Sequence, residues 1–113
     1  MKAFTDIEQS KKLAEILPLE SADMRIGNYV GESGKVDGTN IHYYRKDETF
    51  GAPEIIKAWS LAALLDIYPM IVGRDVGMYC CWQNSKHLCS RHYDNPIDAC
   101  YEMILKLNER KII

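Results

Sequence analysis

Cysteine and histidine, the residue types that bind zinc most often, are concentrated in one short stretch of the second half of the chain. They are Cys80, Cys81, His87, Cys89 and His92. The chain contains no Cys-x-x-Cys pair, the usual spacing of zinc ligands. Residues alternate between the faces of a strand, so Cys89 and His92 point to opposite sides if residues 87–93 form one. We therefore interpret the cysteines as core residues and the histidines as ordinary ones, and predict no metal site.

The same stretch could pair a cysteine nucleophile with a histidine base, because a histidine near a thiol can take its proton. The candidate residues are Cys81 or Cys89, His87 or His92, and Asp94 as the group that would orient the histidine. The local sequence shows no nucleophile turn and no oxyanion hole. Cys100 follows the apolar period of the last predicted helix and is interpreted as core. We predict no catalytic residue, and a small enzyme using this Cys/His pair is the alternative.

A glycine-containing loop, residues 31–35, is similar to a phosphate-binding loop in composition but not in spacing. Tyr29 stands where the first glycine of that motif belongs, and Val36 stands where a serine or threonine must reach magnesium. A hairpin turn accounts for the glycines, since Asp37-Gly38 is a good turn dipeptide. We therefore predict no cofactor.

The composition is that of an ordinary globular chain. Its 113 residues are enough for one core, and we predict a single domain over residues 1–113. A net charge of −2 does not provide the excess of positive charge that attracts nucleic acid or an anionic membrane. A nucleic-acid-binding module is a third hypothesis, supported only by the basic end Lys106, Arg110 and Lys111. The chain shows no apolar leader and no long apolar run, and its cysteines suit a reducing compartment, so we predict a cytoplasmic protein.

The first half of the chain predicts a helix and then a hairpin. Apolar residues at helical spacing predict a helix over residues 6–17, opened by Thr5 and Glu8 as a capping box. Alternating apolar residues then predict antiparallel strands over residues 23–30 and Ile41–Arg45.

A short apolar helix is predicted at the centre of the chain, and Pro69 ends it because proline cannot continue a helix. Its start stays open between two residues. Ser60 is a good N-cap, whereas Pro53 is a good first helical residue.

The last third predicts a second hairpin and a third helix. Met78–Gln83 and residues 87–93 are typical of strands, with turn residues between them. Asn95 is the predicted N-cap of the last helix and Pro96 its first residue. The predicted fold is therefore α+β, with an antiparallel sheet of about four strands in two hairpins and three helices on one face. The predicted order is α-β-β-α-β-β-α.

Three stretches, residues 4–24, 59–65 and 95–107, carry a resemblance to known proteins. Together they resemble a group of short uncharacterised proteins of gut anaerobic bacteria, often associated with phage or mobile elements. The resemblance covers the three predicted helices and leaves the hairpins divergent. It implies one compact intracellular domain, and it carries over no functional residue.

Aromatic residues are frequent in the predicted strands and give the one positive hypothesis about function. If helices cover one face of the sheet, some aromatic side chains must lie on the other, and exposed tyrosine and tryptophan commonly bind partners. The candidate partner-binding residues are Tyr43, Tyr44, Tyr79 and Trp82. We predict an accessory protein that acts without catalysis, through binding of a protein partner or of itself as a homodimer.

Overall fold

The computed structural model describes residues 2–28, 41–45 and 54–113. Within these ranges the chain forms three α-helices and six β-strands, all paired antiparallel, so the predicted α+β class is confirmed. The chain divides into two compact units. We call Asp6–Trp59 the inserted unit, and Met1–Thr5 together with Ser60–Ile113 the split unit.

The inserted unit begins with helix α1, Ile7–Ile16. Asp6 caps it, since its carboxylate accepts from the backbone N–H of Gln9 at 2.8 Å, and the Gln9 side chain accepts from the Asp6 N–H at 3.2 Å. The predicted capping box of Thr5 and Glu8 is therefore wrong by one residue. Aspartate suits the position because its negative charge also meets the positive end of the helix dipole.

Three strands complete the inserted unit: β1 (Met24–Asn28), β2 (Ile41–Arg45) and β3 (Glu54–Ala58), in the order β2-β1-β3. The predicted strand Ile41–Arg45 and its antiparallel pairing with the first strand are confirmed. The predicted turn at Asp37-Gly38, the glycine loop at residues 31–35, and Pro53 lie outside the described residues.

Trp59 closes the inserted unit as a fully buried side chain. Its indole N–H donates to the Ser21 hydroxyl at 2.9 Å, and that hydroxyl in turn donates to the carbonyl of Pro18. The large ring is thus buried with its one polar atom satisfied, as a buried tryptophan requires.

The split unit contains helix α2 (Leu61–Leu65), strands β4 (Ile71–Asp75), β5 (Met78–Gln83) and β6 (Leu88–Cys89), and helix α3 (Pro96–Glu109). Ser60 caps α2, because its hydroxyl accepts from the N–H of Ala63 at 3.3 Å. Helix α2 therefore begins with Ser60 as its N-cap, which is one of its two predicted starts. The helix ends at Leu65, earlier than the predicted stop at Pro69.

The prediction of one sheet with three helices on one face is wrong. The strands form two three-stranded sheets, because residues 54–58 pair with β1 and residues 71–75 pair with β5. The order is α-β-β-β-α-β-β-β-α. Helix α1 belongs to the inserted unit, and α2 and α3 belong to the split unit.

Helix α3 covers one face of the β4-β5-β6 sheet. The predicted start is confirmed, since the Asn95 side chain accepts from the N–H of Asp98 at 2.8 Å and Pro96 is the first helical residue. The buried side chains of α3 recur at helical spacing. They are Pro96, Ile97, Ala99, Cys100, Met103, Ile104 and Leu107.

The N-terminal segment belongs to the split unit through contacts that are distant in sequence. The Lys2 ammonium lies 2.9 Å from an Asp98 carboxylate oxygen, and Phe4 forms an antiparallel bridge with Ser60. No helix in the described part of the chain is both long enough and apolar enough to cross a membrane.

Candidate functional site

The β4-β5-β6 sheet has two chemically different faces. Cys81 of β5 is fully buried and its thiol meets that of Cys100 on α3, so this side of β5 faces the helix. Alternation along the strand places Tyr79 on the same side and Trp82 on the opposite side. We call the side away from α3 the far face. Its residues on β4 and β5 are Ile71, Gly73, Asp75, Met78, Cys80 and Trp82.

The four predicted partner-binding aromatics do not form one surface of this sheet. Tyr79 lies on the α3 side, half-buried, with the Arg74 guanidinium 5.6 Å from its ring centre. Trp82 lies on the far face. Tyr43 and Tyr44 belong to β2 of the inserted unit, opposite Ile26 and Arg25 of β1. Binding through these residues stays a prediction, and within the split unit Trp82 is the one on the far face.

The far face exposes apolar side chains to solvent. Ile71 is 51% exposed and Met78 is 40% exposed. Between them the Trp82 ring lies over Gly73, where a Cβ atom would come within 3.0 Å of the ring. Glycine at this position therefore leaves room for the ring over β4, and the apolar surface extends across both strands.

A pocket of about 290 Å³ opens at the start of β4. It is lined by Pro69, Met70, Ile71, Trp82, Gln83, Asn84 and Ser85. The walls are mainly apolar, and Gln83, Asn84 and Ser85 add polar groups. This size and character suit one apolar side chain of a binding partner, of the kind that anchors protein interfaces.

The hairpin between β4 and β5 has an unusual tip. Val76 (φ 53°) and Gly77 (φ 81°) both have positive φ, as a type I′ turn requires. Asparagine or glycine normally fills the first position, and a β-branched residue there is an outlier. Val76 is also 92% exposed. The tip therefore holds an apolar, strained residue in contact with water.

Strand β4 is an edge strand, with β5 as its one strand neighbour among the described residues. Opposite Arg74, Tyr79 directs both backbone groups to Tyr93: its N–H donates at 2.7 Å and its carbonyl accepts at 2.8 Å. The backbone of Tyr79 therefore makes no hydrogen bonds with the backbone of Arg74. The N–H and carbonyl of Arg74 point away from β5, off the edge of the sheet.

Val72 repeats this geometry two residues earlier. Opposite it, the Cys81 carbonyl accepts from the Ser90 N–H at 2.7 Å, and the Cys81 N–H donates to the Ser90 hydroxyl at 2.9 Å. The edge of β4 thus presents two donors and two acceptors, from Val72 and Arg74.

The cysteines and histidines that the sequence singled out are not gathered into one cluster. The hydrogen bond with Cys100, burial and the electrostatic effect of Cys100 all raise the pKa of Cys81. Cys81 is therefore held as a thiol, the opposite of what a nucleophile needs. Cys80 is buried with its thiol directed to the Ser90 carbonyl at 3.4 Å, whereas Cys89 is exposed.

His87 and His92 are both exposed at the surface. The predicted return strand over residues 87–93 is only Leu88–Cys89, because His87 adopts a left-handed conformation (φ 54°) that ends a short helical turn. The imidazole of His92 lies 3.2 Å from a carboxylate oxygen of Asp75, rather than of Asp94. Among residues 2–28, 41–45 and 54–113, no group of three or more histidine, cysteine or acidic side chains could hold a metal ion.

A polar cluster that the sequence did not indicate ties the end of the sheet to α3. Glu102 accepts from the backbone N–H of Arg91 and from its guanidinium Nε at 2.7 Å. Burial favours the neutral form of Glu102, but these hydrogen bonds and the nearby charges of Arg91 and Lys106 prevail and lower its pKa. Lys106 also donates to the Cys89 carbonyl at 2.7 Å. Lys106 and Arg91 thus have structural roles in this unit.

No protein-family model, curated protein or solved structure matches this chain. The resemblance to short proteins of gut anaerobic bacteria stays a prediction.

Proposed function

We propose that this protein acts by binding protein, without catalysis of its own, and that it associates with itself through the far face and the edge of β4. The observation that carries the proposal is the exposure of Ile71 and Met78 beside the Trp82 ring, next to the edge of β4, which has no second strand neighbour among the described residues. Apolar surface leaves water with a gain of about 25 cal/mol per Å². A two-fold dimer is the commonest assembly by which one surface pairs with its own copy.

The four free cysteines support a reducing compartment as the place of action. Cys89 is exposed, and the thiols of Cys81 and Cys100 lie against each other. An oxidising compartment would favour disulfide formation by such thiols. We therefore propose the cytoplasm as the site of association.

Sedimentation velocity across a dilution series tests the proposal. We expect a shift from the 13.0 kDa monomer to a dimer between about 1 μM and about 200 μM. Ile71→Ser should move the transition to higher concentration, because it removes exposed apolar area from the far face. Leu19→Ser is the matched control, since Leu19 is 48% exposed but belongs to the inserted unit. A monomer at every concentration would reject self-association.

A further inference from the structure

We infer that a second copy of this chain docks on the outer edge of β4, which has no strand neighbour in the described part of the chain, and that the two strands pair antiparallel, centred on Gly73. The two β4-β5-β6 sheets then form one continuous sheet. This inference rests on the proposed self-association and specifies its geometry: which strand pairs, in which register, and which side chains meet.

The backbone of β4 is complementary to itself. In an antiparallel pair, hydrogen-bonded residues exchange both of their bonds. A two-fold axis at Gly73 places Val72 opposite Arg74 of the second copy, and Arg74 opposite Val72 of the second copy. Every outward N–H and carbonyl of the edge then finds a partner. Gly73 itself falls in the close, non-hydrogen-bonded position on the axis, where the absence of a side chain allows the two backbones to approach.

Other symmetric registers fit less well. An axis at Arg74 sets two arginines directly opposite each other, which destabilises a strand pair. An axis at Val72 pairs the outward groups of Arg74 with Met70, which precedes the strand. In the register centred on Gly73, Arg74 lies opposite the apolar Val72 of the second copy. The Arg74 guanidinium lies over the ring of Tyr79 in its own chain. Repulsion between arginines therefore favours the same register in which all outward backbone groups of Val72 and Arg74 form hydrogen bonds.

The same register brings the exposed hairpin tip to the pocket. Val76 of one copy falls opposite Met70 of the other, and Met70 is one of the residues that line the pocket. An apolar residue that is 92% exposed in one copy thus falls beside an apolar residue of the other's pocket, and symmetry repeats the contact. The chain carries both halves of this contact, one at each end of β4. That complementarity identifies the occupant as a second copy rather than an unrelated peptide.

Proline substitution at the edge tests the geometry. Arg74→Pro removes an outward N–H and leaves the bonds between β4 and β5 in place, because those come from the neighbouring residues. Arg74→Ala removes the same side chain and keeps the N–H. We expect the dimer dissociation constant to rise by about tenfold or more for Arg74→Pro relative to Arg74→Ala. Equal dissociation constants for the two variants would overturn the edge pairing.

Amide hydrogen exchange on the unaltered chain gives a test that no folding defect can obscure. The amides of Val72 and Arg74 should become protected as concentration rises, whereas those of Gly73 and Asp75, bonded within the hairpin, should not change. A dimer in which Val72 and Arg74 exchange at concentration-independent rates would overturn this geometry and leave self-association standing. A chain that stays monomeric throughout would overturn both.

Discussion

Replacing Val76 with asparagine should stabilise the monomer. A left-handed conformation costs an L-residue about 1–2 kcal/mol, and asparagine tolerates it far better than a β-branched residue. Val76 has no packing to lose, since 92% of it is exposed. We expect a gain of about 1 kcal/mol in the free energy of unfolding, which for a chain of this size raises Tm by about 4 °C.

Thermal unfolding followed by circular dichroism, at a concentration below the onset of dimerisation, measures this gain. Gly77→Ala is the matched control at the other turn residue. Gly77 has φ 81° and nothing within 4 Å of an added Cβ, so the substitution adds strain without a clash and should lower Tm. An unchanged or lower Tm for Val76→Asn would refute the strain argument. At high concentration the same variant should dimerise less, because the tip loses its apolar contact.

Three further outcomes follow from individual contacts. Asn95→Ala removes the side-chain cap of α3 and should cost about 1 kcal/mol in denaturant unfolding. Because the pKa of Glu102 is lowered in the folded state by Arg91, its contribution is present above the unfolded pKa of about 4.3 and lost as pH falls through the folded pKa. In the Glu102→Gln variant, the free energy of unfolding should therefore fall less steeply as the pH is lowered. Iodoacetamide should alkylate Cys89 in the native protein and reach Cys81 only after unfolding, as mass spectrometry of peptides would show.

Elements with strong local signals were predictable from the sequence. Helix α3 combines an Asn-Pro start with a regular apolar period, and its N-terminus lies where these residues indicate. The start of α1 was displaced because Thr5 and Asp6 are both good caps, and only the folded contacts decide between them. Strand Ile41–Arg45 was found because its β-branched and aromatic residues are unambiguous.

Strand β4 was not predicted, and with it the far face was missed. Its residues run from apolar Ile71 and Val72 through Gly73 to charged Arg74 and Asp75, without the alternation that marks a half-buried strand. The turn that follows it contains no asparagine or aspartate at its first left-handed position. The assignment of Tyr79 and Trp82 to opposite faces depends on where α3 packs, which is a long-range property of the fold. Local patterns therefore could not separate them.

The divided layout of the split unit has a consequence for synthesis on the ribosome. A nascent chain is made from its N-terminus at about 5–20 residues per second, and domains fold as their segments emerge. The inserted unit has all its residues once Trp59 has emerged. Lys2, in contrast, must wait for Asp98, its ion-pair partner 96 positions later. During that interval the first residues of the chain have no completed unit to join, and they are open to chaperones and proteases until α3 has been made.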